Sequence, residues 1–533
     1  MYKITVFHYH LLTGGITQVI SSSAKALMLS ASNQFDITLV SGRDEQTPQL
    51  IESLNQELKT SGIEATVKSK HLPEIDYLVE QSNPPSVEEI KEKLTRHFTN
   101  SIWWVHNYHI GKNPRFTEAL VQIAHEQPQQ QLVLHIHDFP ESGRFSNLKD
   151  LYESVRSPIY PLSRNVRYVV INSRDQDILA EAGVPKEQLF LLNNPIDQKQ
   201  EARIDYWQVQ QKISSWASEH TMRWEPEGKL LLYPVRTIRR KNVLEAGVLC
   251  NMLESPVNLL VTLPGVSQQE QDYSNLVENA FDNRLISGSW GIGRFLDEIG
   301  ISFTELTRSA DTLVSTAIQE GFGYLFINSV LWEVPLIARE LDILGGIRDN
   351  FQPDSSLFYK ALQVPLTTGE RAALGDAYTK LISSVAPMLP EGQDKRLHYE
   401  VEQLLAEELI DYSFLTVDQQ YEFLKRTAES GDFVNDLREI NAETAATAEN
   451  LLRGPKVKNR RNILREFGAE AHTRSVQQIL DSFETLHAGT PEQGRSSGSP
   501  TIELQSGAAA GDPVHQRVLQ AFNHLNYLRP LFF

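Results

Sequence analysis

Short apolar runs alternating with amphipathic stretches constrain this chain more than any single motif. In residues 1–205 such runs lie at 4–9, 37–40, 101–105, 131–136, 168–172 and 189–192. Helical patterns lie over 17–29 and 175–182, and Gly183 stops the second. Runs that are apolar throughout suit strands covered on both faces, as in a parallel sheet sandwiched by helices. A polar, tryptophan-containing stretch interrupts the rhythm, which then restarts. Strands are expected at 229–235, 257–263, 284–286, 310–316, 335–338 and 362–366, with helices at 243–253, 303–308 and 324–332. The expected fold is α/β, with Rossmann-like domains at 1–205 and 229–388 joined by the connection 206–228.

The chain has 533 residues, a hydrophobic fraction of 41% and a formal charge of −18. That charge argues against broad nucleic-acid binding and against docking on anionic membranes. Cys250 is the only cysteine, which excludes an intramolecular disulfide framework and a cysteine-based zinc site and suits a cytoplasmic protein. Residues 1–7 read as a strand rather than a signal peptide. No apolar run approaches the roughly 20 residues of a membrane span.

Chemistry-bearing residues gather where the runs end. Gly14-Gly15 follows the first run and opens a helix, which suits a backbone passing close to a phosphate; a tight turn without a ligand reads equally well. His135 and His137 share one face of a strand, and Asp138 follows. With no cysteine and no clear third ligand, no metal is expected there. Arg236, Arg239, Arg240 and Lys241 put four cations in six residues after a strand. They read either as a solvated loop or as the seat of a bound polyanion. Gln319-Glu320-Gly321-Phe322-Gly323 lies between a strand and a helix, where glycines and the first helical turn can receive an anion.

Together these residues resemble the retaining GT-B glycosyltransferases of the glycogen-synthase-like "group 1" type, a family 4-like pattern, over about residues 1–350 and 455–487. The resemblance rests on Gly14-Gly15, His137-Asp138, Asn172-Ser173, Asn194-Pro195-Ile196-Asp197, Arg236 with Lys241, and Glu320-Gly321-Phe322-Gly323. It implies two Rossmann-like domains facing across a cleft that closes on a nucleotide-sugar donor. It implies transfer of a hexosyl group to a hydroxyl acceptor with retained configuration. Neither a metal nor any other cofactor is implied at the diphosphate. His137, Glu320, Arg236 and Lys241 would be catalytic. Gly14, Gly15, Asp138, Asn194, Gly321, Phe322, Gly323, Tyr324 and Asn328 would bind substrate. Two positions depart from the pattern. Asn328 stands where the family has its second glutamate, and Glu333 where it usually has glycine. Asn328 can hydrogen-bond a ribose hydroxyl but cannot do so as a charge. A glycoside phosphorylase, a sugar-nucleotide epimerase and a catalytically weak sugar- or nucleotide-binding protein remain alternative readings. The acceptor is expected to be small and soluble.

The last third exceeds a minimal member of this family. Residues 389–453 read as a helical insertion and 454–487 as closing helices, the last of which returns to the N-terminal domain. The Gly-, Ser- and Pro-rich stretch 488–513 reads as a flexible linker. Residues 514–533 form a tail whose Val518, Phe522 and Leu525 share a helical stripe. That tail is expected to dock on its own chain or on a second copy, and the C-terminal helices are candidate homo-oligomer contacts.

Overall fold

In the computed structural model, residues 1–196, 204–220, 222–454, 460–485 and 511–532 are described. They divide into two compact units. The first comprises Met1–Lys199, Met388–Pro390 and Leu464–Asn523, and the second Gln200–Pro387, Glu391–Ile463 and His524–Phe533.

Unit 1 is built on seven strands: β1 (Tyr2–His8), β2 (Phe35–Ser41), β3 (Lys68–His71), β4 (Ile102–His106), β5 (Leu132–Ile136), β6 (Val166–Val170) and β7 (Leu189–Leu191). All are parallel, in the order β3-β2-β1-β4-β5-β6-β7. Every residue of β4, β5 and β6 is buried, which is why they read as unbroken apolar runs. The edge strand β3, Lys-Ser-Lys-His, is exposed throughout and carries no hydrophobic signal to predict it from. The helix Ala469–Thr485 packs on the helix Gly15–Ala31, so the closing helix does return to the N-terminal sheet. Its Val476, Ile479, Leu480 and Phe483 complete the core around Ile20, Leu27 and Ile37.

Unit 2 holds β8 (Lys229–Arg236), β9 (Val257–Leu263), β10 (Gly288–Trp290), β11 (Thr312–Ser315), β12 (Leu336–Arg339) and β13 (Ser356–Tyr359). Their order is β10-β9-β8-β11-β12-β13, again all parallel. Two expected strands are corrected. The strand expected at 284–286 lies at Gly288–Trp290, because Arg284 sits in a turn at φ 58°. Residues 362–366 are not in the main sheet. β14 (Gln363–Pro365) pairs antiparallel with β15 (Leu409–Asp411), and the half-buried β13 takes the sheet edge instead.

Residues 389–453 are mostly helical, in Gln393–Ala406, Val417–Glu429, Gly431–Ile440 and Ala442–Arg453. The last two of these helices meet at Asn441. The Asn441 amide accepts from Gln363 N at 2.8 Å and donates to Gln363 O at 2.9 Å. The segment packs on the helix Val243–Met252, which is buried on nearly all sides and is accordingly apolar apart from Glu245 and Asn251. Gly247 permits that approach: a Cβ there would lie 2.6 Å from Ile286 and 3.2 Å from Leu424.

The tail docks on its own chain. The helix Pro513–Phe522 packs in unit 1 on the helix Ser173–Ala182, burying Val514, Val518 and Phe522. Leu525 and Leu528 are buried in unit 2, where Phe532 meets the Tyr378 ring edge-on at 4.7 Å. Most of the linker 488–513, along with Asp197, residues 455–459 and Phe533, lies outside the described residues. No described helix is long and apolar enough to cross a membrane.

Glu333 ends the helix Tyr324–Trp332 at φ 58° and ψ 39°, the left-handed region that glycine adopts freely. The family's glycine preference at this point thus has a backbone cause. Glu333→Gly is expected to raise unfolding stability by about 1 kcal/mol. Urea melts of the two proteins check this, and an unchanged or lower midpoint contradicts it.

Candidate active site

Open parallel sheets bind ligands outside the carboxyl ends of their strands, where neighbouring connections leave in opposite directions. In unit 1 that point lies between β1 and β4, and in unit 2 between β8 and β11. The residues singled out from sequence fall largely at these two places.

In unit 2, β8 delivers Arg236 to Lys241 and β11 delivers Gln319 to Gly323. The loops are tied together: Ile318 N donates to Arg240 O at 2.9 Å and Thr316 Oγ1 to Asn242 O at 2.9 Å. Lys241 Nζ forms an ion pair with Glu320 Oε1, and Arg240 lies 3.5 Å from Glu320 Oε2. Burial pushes the Glu320 carboxyl up, but the Lys241 and Arg240 charges outweigh it and hold the carboxyl below its ordinary value. Burial pulls the Lys241 ammonium down against the pull of Glu320. The result is an ionised pair whose cation is poorly solvated.

The four cations of this loop have different environments. Arg236 is 47% exposed, with Glu270 at 3.3 Å. Arg240 is also substantially exposed. Arg239 is buried and belongs to the fold, correcting the reading of the cluster as one anion seat. It donates to Asn242 Oδ1 and to the carbonyls of Ser413 and Leu415. Residues 413–415 of the extra segment therefore brace the loop that carries Lys241. Gly323 caps the helix Tyr324–Trp332 at φ 79°, and a Cβ there would lie 2.9 Å from Phe326. Phe322 is buried against Tyr324, with ring centroids 4.9 Å apart. Gly321 precedes it, and Asn328 lies half-buried one turn beyond Tyr324 on the same helix.

In unit 1, Gly14 is extended and Gly15 begins the helix Gly15–Ala31. Neither has a left-handed backbone, and a Cβ on Gly15 would meet nothing within 4 Å. These glycines keep space open rather than permit a turn. His137 follows β5 and is buried, and Nε2 of its ring lies 2.8 Å from Nδ1 of His106. Asn107 Oδ1, at the end of β4, accepts from the main-chain N–H groups of His137 and Asp138 at 2.8 and 3.2 Å. Burial pushes His137 down to about 4, so its imidazole is neutral at pH 7. Asp138 pairs with Arg144 at 3.1 Å. Asn194 stands apart, buried after the edge strand β7 and close to Asn193, whose carbonyl lies 3.0 Å from His472 Nδ1.

Sequence reasoning found no third imidazole beside His135 and His137, and the structure supplies one. A nitrogen from each of His106, His135 and His137 lies within 4.8 Å of the other two. By donor type the trio could hold a metal ion; three of its six nitrogens have hydrogen bonds among the described residues, and His135 Nε2 is buried without one. His106 Nδ1 and His137 Nε2 share one, and Trp104 Nε1 donates to His135 Nδ1 at 3.1 Å. His106 was hard to find because it lies on a different strand; β4 and β5 pair His106 directly with His135.

A second missed group is the buried charge network of unit 2. Arg339 bonds Glu245 at 2.7 and 2.9 Å and Asp411 at 2.9 Å, and Tyr359 donates to Glu245 at 2.7 Å. Arg529 from the tail lies 3.5 Å from Asp411. These charges sit far apart in sequence, and no spacing rule connects them.

No family model matches the chain. It is 29% identical over 539 aligned residues to a mannosylglucosyl-3-phosphoglycerate synthase of Petrotoga mobilis, with all of both chains covered. Among solved structures it resembles Anabaena Alr3699/HepE in complex with UDP-glucose, at 13% identity and TM-score 0.45, covering 92% of this chain and 100% of that one. It also resembles TarM, at 10% identity and TM-score 0.46, covering 91% and 99%.

Proposed function

We propose that this chain, a glycosyltransferase of the GT-B, glycogen-synthase-like type, moves a mannosyl group from a nucleotide-diphosphate mannose to glucosyl-3-phosphoglycerate. The transfer retains the anomeric configuration and needs no metal at the diphosphate. The ion pair of Lys241 and Glu320, flanked by Arg236 and Arg240 at the strand ends of unit 2, is the observation that carries this reading. The full-length likeness to the Petrotoga mobilis synthase supports the choice of sugar and acceptor.

The bond from the sugar's anomeric carbon to the diphosphate breaks, a bond from that carbon to an acceptor hydroxyl oxygen forms, and the hydroxyl proton passes to the departing diphosphate. Negative charge grows on the departing diphosphate. Arg236, Lys241 and the helix start after Gly323 stabilise it, as preorganised donors do where charge develops. Glu320 shares Lys241 with the phosphates and orients the sugar hydroxyls. His137, neutral at pH 7, offers a hydrogen bond to the transferred sugar without placing a cation beside the oxocarbenium-like carbon. Asn328 makes one uncharged hydrogen bond to the ribose.

Incubating the full chain with nucleotide-diphosphate mannose and glucosyl-3-phosphoglycerate tests this, with the product read by mass spectrometry and by the anomeric carbon–proton coupling. A mannosylated product of retained configuration, formed in the presence of a chelator, is expected. No transfer to this acceptor, or an inverted product, overturns the reading; transfer lost on chelation removes its metal-free part.

A further inference from the structure

One group of charges near His137 has no part in the donor chemistry. Four loops leave the carboxyl ends of β1, β2, β4 and β5; three of them bring His10, Arg43 and Lys112 around Tyr77, and the fourth carries Arg144, whose charge acts on both Tyr77 and Lys112. Arg43 Cζ and Lys112 Nζ each lie 5.5 Å from the centre of the Tyr77 ring. The Tyr77 hydroxyl is 3.1 Å from His10 Nε2, while His10 Nδ1 is buried without a partner among the described residues.

The cations differ in how they are balanced. Arg43 is neutralised, with Asp76 at 2.9 Å and Glu80 at 3.3 Å. Arg144 has Asp138 at 3.1 Å and keeps 41% of its side chain exposed. Lys112 makes no side-chain hydrogen bond and no ion pair among the described residues, although it is half-buried. Burial and the Arg144 charge both disfavour its charge, and the weaker pull of Asp150 supports it. A chain of formal charge −18 has many carboxylates to place beside such an ammonium. Leaving it without one beside a second cation costs stability, and sites that break local rules in this way are typically functional. A phosphate fits the vacancy in charge. Lys112 would meet it as a point charge, Arg144 through its planar fork and Tyr77 through a hydroxyl. Asp138, which immediately follows His137, already anchors Arg144, so the anion would lie beside the proposed sugar contact.

We propose that Lys112 and Arg144, with Tyr77 between the basic groups, form the subsite for the phosphate of the acceptor. This rests on the reading of the chain as a transferase acting on a phosphorylated acceptor, and it assigns the residues that select that acceptor over an unphosphorylated one.

The test uses the full chain, wild type and carrying Lys112→Met or Arg144→Gln. Calorimetry measures binding of glucosyl-3-phosphoglycerate and of glucosylglycerate, which lacks the phosphate, and steady-state kinetics follow transfer. Wild type is expected to bind the phosphorylated compound at least about 10-fold more tightly, as charge-assisted hydrogen bonds are worth about 1.5–3 kcal/mol each. Each variant should lose most of that preference and raise the acceptor KM about 10-fold, with the KM for nucleotide-diphosphate mannose unchanged. Arg144→Gln alters a side chain that is 41% exposed, so the comparison stands even if Lys112→Met folds poorly. Wild type that shows no preference for the phosphorylated compound, or variants that keep it, overturn the subsite. Binding with this preference but no transfer overturns the transferase reading and leaves the subsite standing.

Discussion

Lys241→Met will lower kcat for sugar transfer by about 10²–10³-fold, the loss typical of removing one preorganised donor to a developing oxyanion. Apart from Arg239, which is taken up by the fold, its ammonium is the most sequestered cation of the β8 loop, with a side chain 14% exposed against 47% for Arg236 and 41% for Arg240. Charges count for more where water is excluded. Three interactions hold its backbone: Tyr233 donates to Lys241 O at 2.7 Å, Thr316 Oγ1 donates to the same oxygen at 3.2 Å, and Arg239 braces the turn. Methionine keeps the length and apolar stem of the side chain, so the loop should keep its course. What is lost is the charge, and among the described residues Glu320 then keeps only Arg240, at 3.5 Å, as a cationic partner. Stability should fall as well, because a buried carboxylate loses its better partner. The kinetic comparison is therefore made per folded molecule, established by circular dichroism and gel filtration. Arg236→Gln, at a more exposed position, should cost about 10-fold. A Lys241→Met protein that folds and keeps kcat within threefold of wild type would remove Lys241 from the reaction.

The contrast between Lys241 and Arg239 shows how far the sequence could be read. Both lie in one run of cations, and nothing in the run distinguishes them. Their fates are decided by residues 413–415, which lie over 170 positions away and take Arg239 into the fold. The parallel sheets were legible because strands such as β4, β5 and β6 are buried on both faces and leave continuous apolar runs. β3 was not, since an exposed edge strand has no hydrophobic requirement to record. The strand ends bearing His137, Arg236 and Glu320 were legible because glycines, histidines and cations cluster there. The third histidine and the Glu245–Arg339–Asp411 network were not. Such groups become neighbours only through strand pairing and through packing of the extra segment. Glu333 is a middle case: its departure from the family's glycine was visible, and the left-handed backbone explains why glycine is favoured there.

Acid will unfold unit 1 well before it unfolds unit 2. His8, His106, His109, His135, His137 and His472 are all buried in unit 1. Burial pushes His8 down to about 3, and His109, His137 and His472 down to about 4. His106 and His135 are lowered by burial and by neighbouring imidazoles. The sign follows from proton counting. Above about pH 6.5 these histidines are neutral in both states and carry no penalty. As pH falls the unfolded chain takes up protons that the fold refuses, so stability drops progressively until the folded values near 4 are reached. A fall from 6.5 to about 4 corresponds to roughly 3 kcal/mol per histidine. Three or four such groups match the roughly 5–15 kcal/mol that holds a domain together. Particular contacts fail with the charge: protonating His135 Nδ1 removes the acceptor of the Trp104 indole N–H, and His109 has no hydrogen-bond partner on either nitrogen among the described residues. Hydrogen exchange read peptide by peptide between pH 7 and pH 4.5 should show β4 and β5 losing protection while β8 and β11 keep theirs. His109 stacks on Tyr108 with centroids 4.6 Å apart, so phenylalanine can occupy its place. His109→Phe should move the acid midpoint to lower pH, since one refused proton is then missing. Equal protection of both units down to pH 4.5, or a midpoint indifferent to His109→Phe, would show that these imidazoles find charged partners or water as the pH falls.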